Sequence, residues 1–195
     1  MKDSLIYGTL LGDSWIFKNE KGDYVFSFSQ KNKEYAKWKA NILGYPYGEY
    51  NRKRYDIRTK KYYTNLTIVV KIPLSKRKRI YDKFYKPNKI VTTEILNKLT
   101  NKGICLWYLD DGSVYYNGNN CHISLSVDSF TDNERKLIIN YFKKKFSIIF
   151  RVSRKSIRLV NRKDCELFMK KISRFIPKCM EYKKLSVAIL KHKQK

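Results

Sequence analysis

The chain has 195 residues, 43% of them hydrophobic and 15% aromatic, which is enough apolar side chain for one domain or two small ones with a packed core. Its 43 Lys and Arg outnumber 17 Asp and Glu to give a net charge of +26, an excess that opposes compaction and implies a polyanionic partner, most often nucleic acid. No stretch is apolar enough to span a bilayer, no amphipathic anchor or lipidation signal favours a membrane surface, and no signal-peptide pattern precedes the first motif.

In chain order, the first predicted element is an apolar helical stretch over residues 6–14 that ends in Asp13. Gly8 and Gly12 are four apart on one face of it, where the missing Cβ atoms let another backbone approach. A strand follows over 24–30, then a helix from about Asn32 carrying Tyr35, Trp38 and Ile42 at helical spacing. Strands over about 49–58 and 63–72 and a helix over about 76–85 come next. Lys86-Pro87-Asn88-Lys89 then breaks the pattern and begins a connector.

The second acidic helix end appears at residues 104–112, closing on Asp110, Asp111 and Gly112. Sliding the sequence on itself by 98 residues puts Asp13 on Asp111 and strand 24–30 on strand 122–128; Asp13 to Gln30 and Asp111 to Asp128 are both 17 residues. Two copies of one unit are therefore expected, 1–98 and 99–195, each ordered helix, two strands, helix, two strands, helix. Thr131-Asp132-Asn133-Glu134 reads as a capping box for a helix bearing Leu137, Ile138, Tyr141, Phe142 and Phe146. Strands at 148–153 and 156–160 and a helix over about 163–175 complete the copy. One mismatch remains: Phe26 and Phe28 share the parity of Gln30, whereas Ile123, Leu125 and Val127 lie opposite Asp128. A bulge would reconcile the copies.

Asp13 and Asp111 each close a helix, where the macrodipole disfavours an anion. A shared divalent cation, Mg²⁺ or Mn²⁺, would offset that placement, because Mg²⁺ takes oxygen ligands and is commonly held by one or two carboxylates with phosphate and water. Ordinary Asp-Ser and Asp-Gly turns are the plain alternative. The cysteines show no CxxC pairing, and adjacent Cys121 and His122 point apart, so the thiols read as structural.

Segments 6–14 and 104–112 resemble the paired motifs of the LAGLIDADG homing endonucleases in their single-chain, two-repeat form. The stretch from Leu106 to Gly112, continuing to Ser129-Phe130-Thr131, is especially similar to the yeast mitochondrial intron branch. Similarity extends through Lys89-Ile90-Val91 and Met180-Glu181-Tyr182-Lys183. The resemblance implies an α+β fold: a duplicated αββαββα unit with pseudo-two-fold symmetry, the motif helices at its interface, and two antiparallel four-stranded sheets forming a DNA-binding saddle. It also implies metal-dependent cleavage of both DNA strands at a long, asymmetric site. Asp13 and Asp111 would then be catalytic metal ligands, supported by the backbone carbonyls of Gly12 and Asp110. Gln30 and Asp128 would position water, and Lys89 and Lys183 would stabilise charge on the phosphate.

Alternation on the outer strands predicts the DNA-reading face. Arg52, Arg54, Arg58 and Lys60 share one side in the first copy, with Arg151, Ser153, Arg154, Lys155 and Arg158 as the second-copy version. A ten-residue strand spans about 33 Å, close to one turn of B-DNA. The expected partner is double-stranded DNA bound by a monomer. An RNA-binding intron maturase that does no chemistry is the alternative reading. Starting at Met1 and ending Gln194-Lys195, the chain reads as free-standing or intron-encoded, within a cell: an organelle matrix or a bacterial or phage-infected cytoplasm.

Overall fold

A computed structural model describes residues 2–57, 59–118 and 120–193, with residue 193 described by its backbone alone. The first half runs α1 (Lys2–Leu11), β1 (Ser14–Lys18), β2 (Tyr24–Gln30), α2 (Lys33–Leu43), β3 (Tyr47–Asp56), β4 (Lys61–Val70) and α3 (Leu74–Phe84). A short helix α4 (Thr93–Asn97) leads into α5 (Asn101–Asp111), β5 (Gly112–Tyr116), β6 (Cys121–Ser126), α6 (Asp132–Phe146), β7 (Arg151–Ser153), β8 (Ser156–Leu159) and α7 (Arg162–Ile172). Two 3₁₀ segments, Ser173–Phe175 and Lys178–Lys183, precede α8 (Leu185–Lys193). The strands form two antiparallel four-stranded sheets of the same order, β1-β2-β4-β3 and β5-β6-β8-β7.

Local signals account for most of these starts. Asn32 caps α2 by accepting from the Tyr35 amide, and Gly44 closes it in the left-handed region at φ 68°. The capping box at Thr131 and Glu134 is formed. Glu134 does more than cap, because its other carboxylate oxygen accepts the Val91 amide at 2.7 Å and ties the connector to the second half.

The edges of five elements differ from expectation. Strands β3 and β4 sit two residues earlier than the predicted 49–58 and 63–72. β6 ends at Ser126 rather than Asp128, and β7 begins at Arg151 rather than 148 because Ile148 and Phe150 leave the sheet to fill the core. The predicted 163–175 helix tightens to 3₁₀ geometry after Ile172. Helix α8 was not foreseen; five of its nine residues are apolar but they cluster within 185–190 and trace no helical stripe, and it is held against β5 where His192 meets the Tyr116 ring edge-on.

The parity mismatch between the copies is resolved by a loop, not a bulge. Ser14 pairs with Phe28 and its counterpart Gly112 pairs with Leu125, so strand equivalents are 97 residues apart rather than 98. The loop between β5 and β6 is one residue shorter than the loop between β1 and β2. Phe26 and Phe28 therefore match Ile123 and Leu125, all buried, and Gln30 is matched by Val127.

One core runs through both halves, and its centre is the contact of α1 with α5. A Cβ on Gly8 would lie 2.0 Å from the Gly103 carbonyl oxygen, and one on Gly103 would lie 2.4 Å from the Ser4 carbonyl oxygen. The backbones touch here because both glycines lack that atom. Ser4 adds a bond at the same crossing, accepting the Thr100 amide at 2.7 Å at the start of α5. Gly8→Ala is expected to force the helices apart and cost about 1–3 kcal/mol or more; a urea midpoint unchanged from the parent would contradict this packing. Among the described residues no helix is long and apolar enough to cross a membrane.

Candidate active site

Packing α1 along α5 brings both acidic helix ends to one end of the pair. Asp13 follows the last turn of α1 and Asp111 is the final residue of α5. Gly12 makes the approach possible, since a Cβ there would stand 2.5 Å from Asp110 Cβ. Into the space so left goes the Asp110 side chain.

Asp110 is the centre of a buried network that the sequence did not reveal. Lys39 Nζ lies 2.6 Å from its Oδ2, both side chains fully buried. Tyr35 donates to Oδ1 at 2.7 Å and the Asp13 amide donates to Oδ2 at 3.2 Å. Gln30 Nε2 bridges two carboxylates, 2.8 Å from Asp13 Oδ2 and 3.3 Å from Asp110 Oδ1. Lys39 also sits over the Phe28 ring. The overlooked signal was a lysine on the buried face of α2, in register with Tyr35, Ala36, Ala40 and Leu43.

Two cavities flank the α1–α5 junction. One, of about 320 Å³, is lined by Gly12, Lys89, Asp111, Ser126 and Asp128 among others. The other, of about 360 Å³, has Gln30, Tyr35, Asp110, Tyr182 and Lys183 among its walls. Lys89 Nζ is 3.2 Å from both the Gly12 and the Ser14 carbonyl oxygens, and Lys183 donates to the Leu109 carbonyl. Each lysine thus bonds a carbonyl at the end of its own repeat's motif helix.

Electrostatics at the junction are strained. Burial, then repulsion from Asp13 and Asp110, pushes the Asp111 carboxyl up to about 7, against the pull of Lys89. Asp13 opens on the groove but is packed on its inner side; that burial and the charge of Asp110 raise its pKa, opposed by the Gln30 hydrogen bond. Burial lowers both Lys89 and Lys183, with the carboxylates opposing it. Such crowding of acidic oxygens suits a hard dication. Among the described residues no three His, Cys, Asp or Glu side chains make a metal cluster, and Asp110's carboxylate is taken by Lys39. A dication at this junction would be offered the two carboxylates Asp13 and Asp111 and, among nearby carbonyls, those of Asp110 and of Gly12, the latter also bonded by Lys89.

Asp128 is placed differently from Gln30. It lies in the turn beyond β6, lines the Asp111 cavity, and pairs with Lys155 at 3.0 Å rather than with a motif carboxylate. On the first sheet, Arg52 pairs across the ladder with Asn65 and Arg54 with Tyr63, on the face opposite buried Leu66 and Ile68. A groove of about 600 Å³ joins them to Asp13. Lys60 is in the hairpin turn at φ 52°, and Arg58 lies outside the described residues. On the second sheet Arg151 faces Arg158 and Ser153 faces Ser156, while Arg154 and Lys155 form the turn.

The family model described as LAGLIDADG DNA endonuclease matches residues 3–163. A probable intron-encoded endonuclease of Wickerhamomyces canadensis is 26% identical over 199 residues, covering 95% of this chain and 84% of that protein. An uncharacterised protein of Methanocaldococcus jannaschii is 25% identical over 181 residues, covering 89% of this chain and 69% of its own length. The structure of the homing endonuclease I-WcaI bound to its DNA recognition sequence shares the fold, with a TM-score of 0.78 at 23% identity over 94% of this chain and 85% of that one.

Proposed function

This chain belongs to the LAGLIDADG DNA endonuclease family, and on that premise we propose that it cuts both strands of a long, asymmetric double-stranded DNA site using Mg²⁺ or Mn²⁺ held by Asp13 and Asp111. The observation that carries the reading is the meeting of these two carboxylates at one end of the α1–α5 pair, with a raised Asp111 pKa that a dication would relieve. A cation there would polarise the scissile phosphate and lower the pKa of an attacking water.

The chain's own groups supply the rest. Asp13 and Asp111 offer hard oxygens, one for each strand. Gln30, by donating to Asp13, fixes the orientation of that carboxylate. Lys89 and Lys183, anchored on backbone carbonyls, place positive charge beside the phosphates, where it can stabilise the negative charge that develops as the bond breaks. Asp128, on the wall of the Asp111 cavity and paired with Lys155, is the residue there that would position water. The protein acts as a monomer because one chain provides both halves of the centre.

Incubation with a randomised duplex library and Mg²⁺, followed by capture of the cut ends, tests this directly. Recovery of one long consensus with both strands cut is the expected result. Binding of DNA with no strand cut under any divalent cation would refute the nuclease reading.

A further inference from the structure

Alternate residues of each sheet face the groove, and the ladders set them in rows across the strands. β1 leaves Asp13 and β2 returns to Gln30, which bonds Asp13, so rows can be counted outward from that carboxylate. β5 leaves Asp111 in the same way. Level with Asp13 the register places Ser29, Thr67 and Tyr50, and level with Asp111 it places Ser126, Ser156 and Ser153. Both rows are hydroxylic.

One row further out the two sheets diverge. Trp15, Ser27, Val69 and Gly48 pair across the first sheet, where Ser113, Ser124, Arg158 and Arg151 pair across the second. In the first row Ser27 is buried and its hydroxyl donates to the Ile68 carbonyl at 2.9 Å, which removes it from recognition. Gly48 contributes no side chain; a Cβ there would lie 3.4 Å from the Tyr50 hydroxyl oxygen and 3.6 Å from a carbon of its ring, so that ring covers this end of the row. The surface left to the groove is the half-buried Trp15 indole and the Val69 methyls. Phe17 and Val25, paired in the next row out, continue it as apolar.

The second row is polar and cationic. Ser113 and Ser124 bond each other at 2.7 Å, while Arg151 and Arg158, both exposed, stand opposite one another on the ladder. Like charges in that position destabilise a sheet, and acceptors shared between them offset the cost. Guanine O6 and N7 are such a pair in the major groove, whereas thymine offers a methyl group that apolar side chains contact. The first sheet has arginines too, but Arg52 and Arg54 lie on the other side of the Asp13 row, toward the centre.

We infer that equivalent base pairs on the two sides of the cut are read by different chemistry: beneath the second sheet Arg151 and Arg158 select guanine, and beneath the first sheet Trp15 and Val69 select thymine through its C5-methyl group. This rests on the nuclease reading above, since it assigns the open faces to the major groove of duplex DNA.

The test starts from the consensus duplex recovered by library selection. One position at a time, each thymine is replaced by deoxyuridine, which lacks the methyl, and each guanine by 7-deazaguanine, which lacks N7. Binding to the whole protein is measured by gel shift without divalent cation. Arg158→Ala locates its own base pair: there the parent should lose roughly 5- to 100-fold in affinity on 7-deaza replacement, and the variant should lose nothing further. At the same distance from the cut in the other half, a thymine is expected on one strand, and deoxyuridine should weaken binding about three- to fivefold, as for one buried methyl group. Trp15→Ser, which installs the residue of the other half, should erase that sensitivity; Val69→Thr provides the same readout should the tryptophan variant fail to fold. A guanine required at that position, or a methyl that can be removed without loss, overturns the inference and leaves the nuclease intact. So does an Arg158→Ala protein that still senses the missing N7. Absence of any DNA binding refutes the nuclease reading, and the inference falls with it.

Discussion

Asp111→Asn is expected to slow cleavage by at least about 10²–10³-fold, the effect of removing one preorganised charged group, while DNA affinity should stay within a few-fold. The same is expected of Asp13→Asn. The Asp111 variant should also be more stable than the parent without metal. Its carboxyl rises from 3.8 to about 7 on folding, so the folded chain binds that proton more tightly than the unfolded one. By linkage, the contribution of this group to stability is fully present below about pH 3.8 and is lost as pH rises toward 7. An asparagine has no proton to lose, so the variant gains over the parent at pH 8 and not at pH 4. Three pKa units correspond to roughly 4 kcal/mol, and solvent screening on the groove side reduces this to about 2 kcal/mol. That is about 4–8 °C in melting midpoint for a chain of this length. Thermal melts of parent and variant in EDTA at the two pH values decide it; a variant that cuts normally, or melts below the parent at pH 8, removes Asp111 from the proposed centre.

Lys39→Met should be among the most destabilising single changes in the molecule. It leaves the Asp110 carboxylate buried and uncompensated, which costs about 3–5 kcal/mol. Adding Asp110→Asn removes the stranded charge while an amide can still accept from Tyr35, so the double variant should recover most of the loss. Urea unfolding of the two single variants and the double variant measures the coupling. A loss below about 1 kcal/mol for Lys39→Met would mean that the pair is not dry.

The same pair bears on how the two strands are cut. Gln30 is held between Asp13 and Asp110, and Lys39 and Tyr35 hold Asp110. Among the described residues no equivalent pair supports Asp111: the position matching Asp110 is Gly12, and the one matching Lys39 along the capped helix is Ile138. In the folded fraction of Lys39→Met, cleavage of the strand served by Asp13 should therefore fall more than that of the other strand. Nicked intermediate would accumulate, and equal slowing of both strands would assign Lys39 a purely structural role.

Much of this molecule was legible in the sequence because the signals were local. Helical periodicity, the Asn32 cap and the Thr131–Glu134 capping box each act within a turn or two of chain, and they gave the element order nearly as observed. The repeat of Asp13 at Asp111 exposed the duplication, and the resemblance of the two motifs to a known family supplied the fold. The sequence by itself also located the basic outer strands, since alternation needs no partner to be read.

Tertiary structure decided what depends on a second segment arriving from far along the chain. A loop one residue shorter moved β6 by one position and gave the place of Gln30 to Val127, because strand register is set by what pairs across the ladder. The short β7 followed from Ile148 and Phe150 being drawn into the core rather than the sheet. Lys39 looked like one basic residue among 43, and only the approach of α5, allowed by Gly8 and Gly12, brought Asp110 to within 2.6 Å of it. Burial of a charge is settled by the neighbour that neutralises it, and that neighbour lies 71 residues away.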